Sequence, residues 1–270
     1  MRGVFTLSAF AAIVAVGLIC VFLFAGGIPA MVEIGVFRFL SGIDWSPRDV
    51  PPSFGIFPMI IGSLYVTAGA ILFGVPLGIF TAVFMAKVCP QSLYGFLKPA
   101  INLLAGIPSV VYGFFGMVVL VPFVREVFGG NGSSILTASI LLGIMILPTV
   151  IGITESSLRA VPDELYEGAV ALGASHERAV FFVVLPAAKS GVMAAIVLGI
   201  GRAIGETMAV KMVAGNQTVV RMPNEFLRGV RTLTANVVIE MGYAEGLHRD
   251  ALVATGVVLF VFILLINLLF

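Results

Sequence analysis

Charge is scarce in this chain. Of its 270 residues only 15 are Lys or Arg and 14 are Asp or Glu, 11% in all, against roughly 25% in ordinary soluble domains. The length could hold one or two domains, but no polar stretch is long enough to build a soluble one. A formal net charge of +1 argues against a nucleic-acid binder. Cysteine is almost missing. Cys20 and Cys89 lie in or beside apolar segments, which predicts buried small hydrophobes rather than a disulfide. With two histidines, His176 and His248, no His/Cys cluster exists to hold a metal.

What is present is apolar surface. Hydrophobic residues make up 60% of the chain and mean hydropathy is +1.14. A membrane helix needs about 20 mostly apolar residues. The runs predict an all-α, multi-pass membrane protein with six spans, at 4–25, 59–86, 97–124, 134–153, 189–213 and 251–270. The first opens at Arg2 and is too long for a signal peptide, so it reads as a retained anchor. The last reaches the final residue. Segment 28–57 carries Trp45, Pro47, Pro51 and Pro52 and predicts an ordered loop with an interfacial helix at 31–40. Segment 154–186 is amphipathic and helical. Segment 216–250, with Arg221, Arg228, Arg231, Glu240, Glu245 and His248, is a second excursion whose Glu240 and His248 are candidates for contact with an outside partner. Basic residues divide almost evenly between the two sides, so the positive-inside rule does not orient the chain. Gly74-x-x-x-Gly78 and Gly201-x-x-x-Gly205 predict close helix approach. Pro76, Pro108, Pro122 and Pro148 predict kinks or helix ends.

Against this background Arg202 and Glu206 stand out. They sit in the apolar run Gly191-Val-Met-Ala-Ala-Ile-Val-Leu-Gly-Ile-Gly-Arg-Ala-Ile-Gly-Glu-Thr-Met-Ala-Val210. An Arg at mid-membrane costs about 2.5–3.5 kcal/mol on insertion scales and faces a polar pathway or a partner. Spacing of four predicts that both groups share one face of a helix. The order Arg-then-Glu is the weaker one for helix support, which leaves a functional ion site or a pair that fixes helix packing.

The segment Glu167-Gly168-Ala169-Val-Ala-Leu-Gly173, then nine residues, then Val183-Val-Leu185-Pro186 resembles the EAA loop of ABC importer permeases. It departs from that pattern only at Gly168 and Val183. The residue types suit a knob. Pro162, Asp163 and Glu164 start a helix, Gly173 ends it in a left-handed conformation, and Ser175 caps the next. The resemblance places 154–186 in the cytoplasm and implies that Glu167, Gly168, Ala169, Gly173, Leu185 and Pro186 seat against an ATPase subunit. No G-x-x-x-x-G-K-[ST] loop occurs in the chain. ATP and magnesium are therefore expected on that separate subunit, with no cofactor or catalytic residue on this one.

Further stretches sharpen the likeness: Gly199-Ile-Gly-Arg-Ala-Ile-Gly-Glu-Thr-Met-Ala-Val210, Ile107-Pro-Ser-Val-Val-Tyr-Gly113, Phe39-Leu-Ser-Gly-Ile-Asp-Trp45-Ser-Pro47 and Ala244-Glu-Gly-Leu-His248. Together they resemble the PstC-type permeases of phosphate ABC importers. PstA-type permeases share part of this, but the Thr-Met-Ala-Val continuation favours the PstC type. The resemblance implies one permease domain over 1–270, of the type I importer fold, in a bacterial or archaeal cytoplasmic membrane. It implies phosphate passage at Arg202 and Glu206, with Ser109 and Tyr112 as candidates to line the route. Arg202 can take two phosphate oxygens side by side, and Glu206 can neutralise Arg202 between passages. The implied partners are a PstA-like permease, two PstB-like ATPases and a PstS-like phosphate-binding protein, besides lipid. Three rivals stand: an importer for sulfate or molybdate, an ATP-independent channel or secondary transporter, and a purely structural subunit. No internal repeat speaks for a secondary transporter.

Overall fold

The computed structural model describes residues 1–222 and 224–269. Its helices in chain order are α1 (Arg2–Ile34), α2 (Val36–Ser41), α3 (Phe57–Val88), α4 (Gln91–Gly106), α5 (Ser109–Phe128), α6 (Ile135–Arg159), α7 (Asp163–Ala171), α8 (His176–Ala187), α9 (Lys189–Gly205), α10 (Met208–Val213), α11 (Leu233–Glu240) and α12 (Gly246–Leu269). A two-stranded antiparallel ribbon, β1 (Trp45–Ser46) and β2 (Ser53–Phe54), pairs Trp45 with Phe54. Among the described residues five helices, α1, α3, α5, α6 and α12, are long and apolar enough to cross a membrane; α8 and α9, bent by 70°, bring the number to six if they form one broken span.

Each predicted apolar run is helical, but two are not continuous. Where the sequence predicts one span over 97–124, Ile107 and Pro108 adopt extended backbone and separate α4 from α5. A proline disfavours helical geometry in the residue before it and donates no amide hydrogen bond. Where it predicts 189–213, the helix stops at Gly205 and resumes at Met208. The predicted interfacial helix at 31–40 is instead the end of α1, a left-handed Gly35 at φ 92°, and α2. The predicted last span ends at Phe270, which lies outside the described residues.

Little hydrophobic force acts between helices in lipid, so close packing of small residues must hold them together. The pair α3 and α6 shows how. A side chain at Gly74 would collide with the Gly143 carbonyl and Ile146, and one at Gly78 with Val150. Ser139 donates across the same interface to the Val66 carbonyl at 3.3 Å. The α6 helix is the hub: α3, α5, α9 and α10 pack around it in the middle, and α8 meets it at the hairpin end. At the opposite end Phe39, Trp45, Phe54 and Leu233 form a third apolar cluster with α12. The long α1 leans chiefly on α12, where Phe24 meets Phe260 edge-on at 5.7 Å and Gly27 lies against Ala254 and Val257, while Ala30 near its end joins the cluster of Phe39 and Trp45. Gly201 and Gly205 have no such role, because a side chain at either would meet open space. Cys20 and Cys89 are free and half-exposed rather than buried.

Candidate functional site: two broken helices around Arg202

Arg202 sits in the last turn of α9, half-buried, and its guanidinium donates to the Thr149 hydroxyl of α6 at 3.0 Å. Thr149 directly follows Pro148, which frees a carbonyl of the preceding turn and loosens the helix there.

Glu206 does not share a helical face with Arg202. The helix ends between them and Glu206 is extended, at φ −70° and ψ 128°. Its Oε1 instead accepts from the backbone amides of Thr207 at 3.1 Å and Ala209 at 3.3 Å. This is a cap: the first amides of a helix have no partner within it, and an acidic side chain satisfies them. No ion pair joins Arg202 and Glu206 among the described residues. The shared helical face predicted for Arg202 and Glu206 is therefore corrected: a helix break separates them, and Glu206 caps α10. Thr234 of α11 pins the break from outside, donating to the Glu206 carbonyl at 3.1 Å.

The second break faces the first. Tyr112 is buried, and its hydroxyl spans the Ile107–Pro108 break to donate to the Leu104 carbonyl at 2.9 Å. That hydroxyl is thus spoken for by the backbone. Ser109, the first residue of α5, is half-buried, and its hydroxyl has no hydrogen-bond partner among the described residues. The half-helices α5 and α10 touch backbone to backbone at Gly113, where a Cβ would lie 2.9 Å from the Ala209 Cα and 2.7 Å from the Met212 Sδ. The two signature stretches of the sequence are therefore one structural unit. Gly113 of one admits Met208 and Ala209 of the other, with Met212 just beyond it.

The EAA-like segment forms a projecting hairpin. Glu167 and Gly168 are exposed and Ala169 is half-buried on α7. Gly173 takes φ 89° at the turn, and Ser175 accepts from the Arg178 amide at 3.4 Å to start α8. Leu185 is half-buried and Pro186 exposed on α8. Leu165, Val170, Leu172 and Phe182 are exposed on the same hairpin, Leu172 almost fully at 92%. His176 bonds Tyr166 through Nδ1 at 2.8 Å and braces the hairpin internally.

At the end remote from the hairpin, Glu240 is buried and accepts from Trp45 Nε1 at 2.8 Å and Arg231 at 2.6 Å, with His248 Nε2 also 2.8 Å away. These side chains, with Arg48 stacked over Tyr243, line a cavity of about 300 Å³. Glu240 and His248 thus fold into the protein rather than standing free for a partner. The sequence reading missed Thr149, Thr234 and the buried Glu155 of α6, whose carboxylate meets Tyr94, Lys98 and Arg159. A Glu-x-x-x-Arg pair at 155 and 159, just where the apolar run ends, is the one signal that could have pointed to it. No group of three metal-ligating side chains occurs among the described residues.

Known proteins share this architecture. Residues 74–270 match the model of the family described as "Binding-protein-dependent transport system inner membrane component". The chain is 40% identical to a probable ABC transporter permease protein, YqgH, of Bacillus subtilis (strain 168), over 98% of this chain and 88% of that one. It is 36% identical to the phosphate transport system permease protein PstC of Mesorhizobium japonicum, over 94% and 83% respectively. Among solved structures, an inward-facing MetNI methionine ABC transporter superposes with a TM-score of 0.61 at 21% identity, covering 79% of this chain and 93% of that one. A bacterial ABC transporter for import of alginate gives a TM-score of 0.61 at 16% identity, covering 97% and 94%. The fold is that of ABC importer permeases, and the chain belongs to the family of binding-protein-dependent transport system inner membrane components.

Proposed function

We propose that this chain is a transmembrane permease subunit of an ATP-driven importer of inorganic phosphate, acting as one permease domain over its length. The observation that carries the reading is the Arg202 site. A permanent cation stands 13 residues past Lys189, about 20 Å along a helix rising 1.5 Å per residue. It is held by a hydroxyl rather than a carboxylate, and the helix beside it is interrupted at Glu206. Broken helices are a recurrent way to build an anion site within a membrane. A guanidinium with no anionic partner among the described residues has donors to offer a tetrahedral oxyanion. One hydroxyl partner keeps that binding weak enough for release, which conduction requires. The PstC name of several relatives at 31–36% identity supports phosphate over sulfate or molybdate.

Ser109 and Tyr112 border the same breaks, and Gly201 and Gly205 leave the face beside Arg202 open. In this reading a second, PstA-like permease closes that face and a PstS-like protein delivers phosphate. Two PstB-like ATPases bind ATP and magnesium and receive the hairpin at Glu167, Gly168, Ala169 and Gly173, with Leu185 and Pro186 at its root. The cell membrane of a bacterium or archaeon is the setting.

The test is ATP-dependent uptake of labelled phosphate and of sulfate into proteoliposomes holding the chain with these partners, beside Arg202→Gln. Phosphate uptake that the substitution abolishes is the expected result. Equal uptake by the variant would reduce Arg202 to a packing residue, and sulfate uptake alone would move the protein to another oxyanion.

A further inference from the structure

The Arg202 site and the hairpin lie at different levels of the molecule, and one buried carboxylate stands between them. Glu155, 1% exposed in α6, accepts from Tyr94 Oη at 2.9 Å and Arg159 Nε at 2.6 Å, and pairs with Lys98. Tyr94 and Lys98 are one turn apart on α4, a helix that buries none of its residues. Tyr94, Leu97 and Ile101 rest half-buried against the apolar cluster of α3, α6 and α8, and the bonds to Glu155 add a directional polar anchor at this end of α4. Arg159 also lies over the Tyr94 ring at 4.5 Å and donates to the Met85 carbonyl of α3 at 3.0 Å.

Both ends of this arrangement lead somewhere. Four residues past Arg159 the hairpin begins at Asp163, whose carboxylate meets Lys87 of α3 at 3.5 Å. At its other end α4 runs to Leu104, whose carbonyl takes the Tyr112 hydroxyl of α5, and the next residue, Gly113, packs against Ala209 of α10 just past the break that follows Arg202. Pro99 lies within α4 between these two points, and a helix tied near both ends by directional polar bonds moves with the elements it is bonded to. We infer that Glu155 is a positioning residue that couples the hairpin to the Arg202 site, with α4 as the lever. This rests on the importer reading above, but not on which oxyanion is carried.

The test uses the complete complex in proteoliposomes and compares wild type with Glu155→Gln and Lys98→Met, reading ATP hydrolysed per anion transported. A second readout is the distance between spin labels at exposed Leu103 and exposed Leu172, with and without trapped ATP. The expected result is a rise of at least tenfold in ATP per anion, hydrolysis within threefold of wild type, and loss of the ATP-dependent distance change. Wild-type stoichiometry, or loss of hydrolysis and uptake in proportion with the distance change kept, overturns it. If Glu155→Gln does not assemble, Lys98→Met decides by the same criteria. Were the wild type to carry sulfate, the ratio would be read on sulfate, so failure of the phosphate assignment stays distinct from failure of the coupling role.

Discussion

Arg202 reaches Thr149 across two helices at 3.0 Å and makes no pair with Glu206, four positions along its own chain. The hydroxyl fixes where the guanidinium points without cancelling its charge. Thr149→Val keeps shape and removes the acceptor, while Thr149→Ser keeps the oxygen. A hydrogen bond to a charged group contributes about 1.5–3 kcal/mol. Phosphate uptake at subsaturating substrate is expected to fall about tenfold or more in the valine variant and to be close to wild type in the serine variant. Equal losses in both would assign the effect to packing.

Glu206 caps α10 through Oε1, and a glutamine carbonyl oxygen can accept the same two amide hydrogens. Glu206→Gln is therefore expected to leave thermal stability in detergent nearly unchanged. Glu206→Ala loses the cap, at a cost of about 0.5–2 kcal/mol. Hydrogen exchange at the Ala209 amide gives the local measurement: protection should fall in the alanine variant and persist in the glutamine one. Uniform protection in all three proteins would remove the capping role.

The glycines of the signature stretches separate by what surrounds them. Gly113→Ala would place a methyl 2.9 Å from the Ala209 backbone, so the two half-helices must part. Overpacking of this kind costs about 1–3 kcal/mol. Gly201→Ala meets open space within this chain and should be tolerated by the isolated subunit. Melting temperatures of the purified chain test the contrast. Should Gly201→Ala be silent in isolation yet block assembly with a second permease, the face beside Arg202 is the permease interface.

Much of this molecule is visible in its sequence, and what is hidden has a physical reason. Apolar runs locate the spans because lipid demands them, and the Glu167 to Pro186 pattern locates the hairpin because its turn needs a left-handed residue at Gly173. Hydropathy measures composition, however, and is blind to backbone continuity. Residues 199–213 are apolar on both sides of the break, so Arg202 and Glu206 read as neighbours on one face. The cue was Gly205 followed by an acid and Thr207, the composition of a helix end and a new cap. Glu155 was hidden for another reason. Two of its partners, Tyr94 and Lys98, lie 61 and 57 residues away, and no local pattern records a contact at that distance.

Glu240 offers an experiment that needs no transport. It is buried against Arg231, His248 and the indole of Trp45, the single tryptophan of the chain. Removing one partner of a buried ion pair leaves the other uncompensated and costs about 3–5 kcal/mol. Glu240→Ala would strand Arg231 and release the Trp45 donor to water. Since no other tryptophan contributes, its emission should shift to longer wavelength and become more accessible to iodide, and the melting temperature should drop. His248→Gln keeps a donor for the carboxylate and is expected to change both far less. An unshifted Trp45 emission in Glu240→Ala would mean that the aromatic packing of Trp45 on Phe54, edge-on at 5.8 Å, holds the loop without the carboxylate.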